Sequence, residues 1–328
     1  MALIRQRQNK YCAAVLRSPS NHKIFISVLR DIPGYNDVMK NKSLLSKLTF
    51  GLLGNKAPVI GVLRLSGVIG QMGPLRRGLS LAGHAEAIER VFSLRHVKAV
   101  ALVINSPGGS PVQSALIARR IRVLADEKDI PVVAFAEDVA ASGGYWLACA
   151  ADEIYALDAS IIGSIGVVSS GFGFVDMIKR FGIERRLHTA GGNKARLDPF
   201  QEERPEDVEH LKMIQEDIYA GFTAMVKSRR ADKLKGEDGD IFSGDFWTGT
   251  RALDLGLIDG LGDLRSVMRE KYGERVKFRV VEPPKRSLLK RGQSSGVHTE
   301  GGPFDSFSFG AGLLAAIEER FHWNRFGL

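Results

Sequence analysis

The chain has 328 residues, 44% hydrophobic and 25% charged, with 46 Lys and Arg against 37 Asp and Glu. That composition fits a globular protein with a substantial core and excludes a disordered, collagen-like or disulfide-framed chain. The charge is uneven: residues 1–58 carry net +8, residues 283–328 net +2, and the body between them net −1, so the body lacks the basic face that nucleic acid requires.

In chain order, residues 1–57 form a basic, weakly periodic extension suited to an anionic membrane surface or partner. Val59–Leu65, after Pro58, predicts the first strand, and His84–His96 a helix with Ile88, Val91 and Phe92 on one face. The unbroken apolar run Ala99–Ile104 predicts a strand covered on both sides. Asn105-Ser106-Pro107-Gly108-Gly109-Ser110-Pro111 then makes a turn into a helix, with Ser110 as its cap and Pro111 at its first position. A strand is expected at Pro131–Ala136 and a small-residue helix from Ser142 to Ala151. Short strands follow near Ile154–Leu157, Ile165–Ser169 and Arg185–Thr189, with a helix between the last two. A long helix at Pro205–Arg229 places Leu211, Ile214, Ile218, Phe222 and Met225 together. Shorter helices at Thr250–Leu257 and Leu261–Tyr272 precede a last strand at Val276–Val281.

Four parts result: the extension 1–57, a domain 58–282, a Gly- and Ser-rich linker 283–310, and a C-terminal amphipathic helix 311–328 bearing Leu313, Leu314, Ile317 and Phe321. Alternating strands and helices with short turns predict an α/β domain with a mostly parallel sheet. Of the two cysteines, Cys12 and Cys149, the second sits among small apolar residues and reads as a buried, inert thiol. No run reaches the ~18 apolar residues of a membrane span, and the N-terminus lacks the features of a secretory signal. The expected location is therefore the cytoplasm or the periphery of a membrane.

Three stretches can carry chemistry. Pro107-Gly108-Gly109 is either a tight turn that needs glycine or a turn exposing backbone N–H groups at a strand's carboxyl end. Ala140-Ala141-Ser142-Gly143-Gly144-Tyr145-Trp146 opens a helix after a strand. Ser142 there is either an N-cap or a nucleophile, and the Gly143 N–H is placed to steady an oxyanion. The seven histidines have no motif context; His22, His298 and His322 fall outside the predicted domain and His188 is held in reserve. Gly191-Gly192-Asn193-Lys194 instead offers a lysine on a glycine-rich loop, which can act as a base if its amine is neutral near pH 7.

Taken in order, Asn105-Ser106-Pro107-Gly108-Gly109-Ser110, Ala140-Ala141-Ser142-Gly143-Gly144-Tyr145, Gly163-Ser164-Ile165-Gly166, and Lys194 with Pro199-Phe200 resemble the signal peptide peptidase A family in its short form. These are serine peptidases of the Clp protease/crotonase superfamily, and the likeness spans roughly residues 59–272. It implies stacked ββα units and a self-associating, homo-oligomeric ring. It assigns Ser142 as nucleophile, Lys194 as general base, Gly143 and Gly109 as the oxyanion hole, and Ser164 as the group that orients the lysine. It further implies that Lys194 serves a neighbouring protomer's serine, with extended apolar peptides such as signal-peptide remnants as substrates and no metal or organic cofactor. Many members carry an N-terminal membrane anchor, which has no counterpart in this sequence. Two alternatives stay open: a crotonase-like acyl-CoA hydratase or isomerase with Glu137 or Asp138 as base, and a non-catalytic oligomeric scaffold.

Overall fold

The computed structural model describes residues 57–70, 78–283 and 320–327. The chain divides into two units, 1–57 and 58–328; the basic extension of the first lies outside the described residues, as do the expected linker and most of the expected C-terminal helix. The second unit begins with β1 (Val59–Ser66), α1 (Leu81–Phe92), β2 (Val97–Ser106), α2 (Pro111–Lys128), β3 (Val132–Ala141) and α3 (Gly143–Ala148). It continues with β4 (Glu153–Ala156), β5 (Ile161–Gly163), α4 (Val175–Arg180), α5 (Pro205–Arg230), α6 (Asp238–Ile241) and β6 (Phe246–Thr248). α7 (Gly249–Asp254), β7 (Gly260–Leu261), α8 (Leu264–Tyr272) and β8 (Lys277–Val281) complete it.

The expected α/β class with a mostly parallel sheet is what the chain adopts. The order is β6-β5-β3-β2-β1-β8, and among the described residues β6 alone runs antiparallel to its neighbour. Side chains alternate along the central strands, as the period of two demands. Val100, Leu102 and Ile104 of β2 face one core with Ile88 and Phe92 of α1 and Ile117 and Ile121 of α2. Ala99, Ala101 and Val103 face a second, smaller core under Val267 and Met268 of α8. The apolar run in β2 thus has the physical cause assigned to it, burial on both faces. Ser110 caps α2, its Oγ accepting the Gln113 N–H.

β3 is where the sheet forks. Its first half pairs with β4 through Val133–Phe135, and its last three residues pair with β5 through Val139–Ala141. The fork lets one strand serve both the central core and the rim on which the site is built.

Two expected strands do not form. Ile165–Ser169 is irregular; the strand lies just before it, at Ile161–Gly163, because backbone pairing with Val139–Ala141 and with β6 is available only there. Arg185–Thr189 has Leu187 as its single apolar residue and is exposed along its whole length, and among the described residues no strand pairs with it; a segment with no face to bury and no partner does not make a sheet. α5 has the predicted start, with Pro205 in its first turn, and runs 26 residues, about 39 Å at 1.5 Å per residue.

Candidate active site

The site lies at the carboxyl ends of β1, β2, β3 and β5, the edge at which open α/β sheets place ligands. Ala141 of β3 pairs with Gly163 of β5, so the next residues, Ser142 and Ser164, emerge side by side. Both have φ of 51°, a conformation rarely adopted by residues other than glycine. At Ser142 the accompanying ψ is −121°, and its side chain makes no capping bond to α3. The N-cap alternative is therefore not what this residue does. The backbone holds the strain through the Ser142 N–H to Gly163 O bond at 2.8 Å and the Trp146 N–H to Ser142 O bond at 3.0 Å.

Opposite Ser142 stands the turn after β2. The fully buried Ser106 organises it: its Oγ donates to Gly67 O at 2.7 Å and accepts the Gly108 N–H at 3.2 Å. Ile69 then bonds the turn from the other side, its N–H to Gly108 O at 2.8 Å and its O from the Ser110 N–H at 2.7 Å. At Gly109, φ is 138° and a Cβ would meet Ile69 O at 2.1 Å; no side chain fits there. A Cβ on Gly143 would likewise come within 2.5 Å of Ser114 Oγ and 3.4 Å of the Gly109 nitrogen. The two glycines thus bring two backbone amides to one spot beside Ser142, and among the described residues neither N–H has a hydrogen-bond acceptor.

These residues line a cleft of about 950 Å³ that holds Ser142, Gly143, Gly109 and Ser164 together. One wall is aromatic: Trp146 of α3 stacks on Phe222 of α5 with ring centres 4.7 Å apart, and Tyr219 and Phe242 continue it, while Lys212, Glu216 and Asp245 also line the cleft. Tyr219 Oη donates to Phe242 O at 2.6 Å, so this wall needs no water to satisfy its hydroxyl. His322 and Arg325 also line the cleft, and Phe326 packs edge-on against Phe246 of β6 at 5.1 Å. The sequence pattern puts His322 outside the predicted domain, whereas the fold brings it to the site. Its only sequence signal was the helical spacing around Phe321, which does not say where the segment docks.

Lys194 is exposed and is not among the residues lining the cleft of its own chain. Its loop is nevertheless built. The Lys194 N–H donates to Gly191 O at 3.2 Å, Arg196 pairs with the buried Asp207 at 3.3 Å, and Arg185 pairs with Asp198 at 3.1 Å. Phe174 and Phe200 pack at 5.5 Å beneath it. Glu137 and Asp138, the bases of the hydratase alternative, are also absent from the cleft: Glu137 pairs with Arg64, and Asp138 accepts from Asn105 Nδ2 at 2.7 Å. Cys149 is 1% exposed, and burial pushes its thiol up to about 12. Among the described residues no helix is long and apolar enough to cross a membrane.

Comparison with known proteins gives these features a lineage. The sequence profile of peptidase family S49 matches residues 125–276, which include Ser142, Gly143, Ser164 and Lys194 but not Gly109. The chain is 53% identical over 274 residues to "Na(+)/H(+) antiporter NhaA" of Brucella abortus, covering 82% of this chain and 37% of that protein. It is 30% identical over 234 residues to "Probable protease SohB" of Buchnera aphidicola, covering 67% of each. A solved "1510-N membrane-bound stomatin-specific protease" with a substrate peptide aligns over 71% of this chain and 96% of its own, at 16% identity and a TM-score of 0.42. The chain spans little over a third of the length of the Brucella relatives. With the family profile centred on β3 to α8 and two thirds of a protease relative matched, the chain belongs to peptidase family S49.

Proposed function

We propose that the protein is a serine endopeptidase that cleaves apolar peptides through an acyl-enzyme formed on Ser142, with Lys194 as its general base. The observation that carries this reading is the placement of Ser142. Its side chain makes no capping bond, its φ is positive, and it lies in a cleft with one aromatic wall beside the free amides of Gly109 and Gly143.

In this reading Ser142 Oγ attacks the scissile carbonyl while its proton passes to a neutral Lys194 amine. The carbonyl oxygen becomes an oxyanion held by the two glycine amides; one such donor is worth roughly 3–4 kcal/mol of barrier. Lys194 then protonates the leaving amine, and the same base takes a proton from the water that releases the acyl group. The aromatic wall of Trp146, Phe222 and Phe242 favours apolar substrate side chains, consistent with signal-peptide remnants. Ser164, beside Ser142 in the cleft, orients the arriving lysine.

Because Lys194 sits outside the cleft of its own chain, we assign it to the Ser142 of a neighbouring copy in a ring. The arm carrying it supports that choice. Phe172, Phe181 and Ile183 are 74, 72 and 58% exposed, apolar surface of the kind that marks a protein interface. A transport reading, by contrast, draws no support from the matched segment, whose described part is a helix-covered, mostly parallel sheet.

Hydrolysis of an apolar fluorogenic peptide by the full chain tests the proposal. Ser142→Ala and Lys194→Ala are each expected to lower kcat by more than about 10³-fold. Turnover retained by either purified, assembled variant removes that residue from the mechanism.

A further inference from the structure

β3 does not run evenly along β2. Ile104 pairs with Ala136 and Ser106 with Ala140, so Asn105 alone faces the segment from Glu137 to Val139. The ladder is interrupted there, and β3 exchanges its other neighbour, β4, for β5 across the gap. Ala140, Ala141 and Ser142 lie just beyond it. Their position against the Gly108–Gly109 turn depends on how that gap is closed.

The Asn105 side chain closes it. Its Oδ1 accepts the N–H of the fully buried Val139 at 3.2 Å, and its Nδ2 donates to Asp138 Oδ2 at 2.7 Å. Its backbone O accepts the Gly67 N–H at 2.9 Å. One residue thereby ties the end of β1 and the bulge of β3 to the strand whose next residue, Ser106, shapes the opposing turn. An asparagine amide offers a donor and an acceptor on one rigid plane, which is what this gap demands: an acceptor for Val139 and a donor for the carboxylate before it.

We propose that Asn105, oriented by Asp138, is a positioning residue for the Ser142 reaction, setting the register between the strand that delivers the nucleophile and the turn that supplies Gly109. The proposal rests on the Ser142 reading and concerns a pair of residues that touches neither substrate nor the reacting atoms. It explains why Asp138, close to Ser142 in sequence, stands outside the cleft: its carboxylate holds the amide plane.

The pair can be inverted without losing a hydrogen bond. In Asn105→Asp/Asp138→Asn the new carboxylate accepts from both the Val139 N–H and the new amide. In Asn105→Asp alone two carboxylates face each other, and in Asn105→Ala Val139 loses its acceptor. The full-length assembled variants are assayed with the apolar fluorogenic peptide, and kcat is expressed per site titrated with a serine-directed acylating probe, so that loss of folded protein does not register. Asn105→Ala and Asn105→Asp are expected to lower kcat per site about 10- to 100-fold, the scale of a misplacement near 1 Å, while KM changes by less than about threefold. The inverted pair is expected to return to within about threefold of the wild type, the non-additivity of a coupled pair. Wild-type kcat per site in Asn105→Ala, or an inverted pair no better than Asn105→Asp, overturns the proposal. Should Asn105→Ala not fold, the two isosteric variants decide alone. A Ser142→Ala enzyme that keeps its turnover would instead overturn the function reading, so the two failures are distinguishable.

Discussion

At the scale of single residues, Ser142 concentrates a conflict between folding and chemistry. Its φ of 51° and ψ of −121° place it where a side chain costs of order 1–3 kcal/mol, and no capping bond repays that cost. Ser142→Gly is therefore expected to unfold at higher urea than Ser142→Ala, by about 1–2 kcal/mol, because strain relief exceeds the ~0.5–1 kcal/mol entropic cost of glycine. Both variants should be inactive. Equal stability of the two would mean that the backbone relaxes once the hydroxyl is gone. Cys149 gives a second test at this scale. Burial raises its pKa from 9.0 to about 12, so the unfolded chain releases this proton at lower pH than the folded one. The thiol's contribution is full below pH 9 and declines as pH rises from there toward 12, by at most about 1.4 kcal/mol per pH unit. Urea denaturation at pH 8 and pH 10 should show a larger loss for the wild type than for Cys149→Ala; parallel losses would contradict the burial argument.

Among the secondary-structure elements, α5 carries the aromatic wall of the cleft at Tyr219 and Phe222, and its far end is pinned to the segments that lead into β4 and β7. Arg229 donates to Cys149 O and Ala151 O, each at 2.9 Å. Arg230, 2% exposed, donates to Gly256 O at 2.7 Å and pairs with Asp259 at 2.6 Å. Burial alone would raise the Asp259 carboxyl, but bonds from Arg230, Lys233 and the Ile154 N–H outweigh it and hold the group below its ordinary range. Asp259→Ala leaves Arg230 as an uncompensated buried charge, and a loss of about 3–5 kcal/mol in thermal or urea unfolding is expected. A loss below about 1 kcal/mol would show that the guanidinium is solvated after all. The elements themselves were largely legible in the sequence. Val59–Leu65, Ala99–Ile104, the Ser110-Pro111 helix start and the long helix from Pro205 all rest on local patterns that tertiary packing reinforces. β6 was not legible, because Phe246–Thr248 is three residues long and exists only through pairing with β5. Arg185–Thr189 forms no strand for a different reason: Leu187 is its single apolar residue, so it has no face to bury.

For the whole molecule, the candidate site was legible as motifs but not as an arrangement. Nothing in Ala140–Trp146 alone distinguishes a capping serine from a strained one. The distinction comes from the fork in β3 and from glycines whose missing side chains let two chain segments approach. Nor did the sequence show that His322 and Arg325 return to the cleft, since the spacing of an amphipathic segment names a face and not its partner. In the proposed mechanism the base comes from a neighbouring copy. Lys194 is exposed and does not line the cleft that holds Ser142, and Phe172, Phe181 and Ile183 near it are exposed apolar surface. The ring proposed above would bring that lysine to the next copy's Ser142 and cover this apolar surface with one repeated, head-to-tail contact.

That claim is open to one direct measurement. Ser142→Ala and Lys194→Ala chains are purified separately, dissociated, mixed in equal amounts and reassembled, and peptide hydrolysis is compared with each variant alone. A dyad shared between neighbours predicts two inactive parents and a mixed assembly that recovers roughly a quarter of wild-type turnover, the fraction of contacts joining an intact serine to an intact lysine in a symmetric ring. A mixed assembly as inactive as its parents would contradict the account.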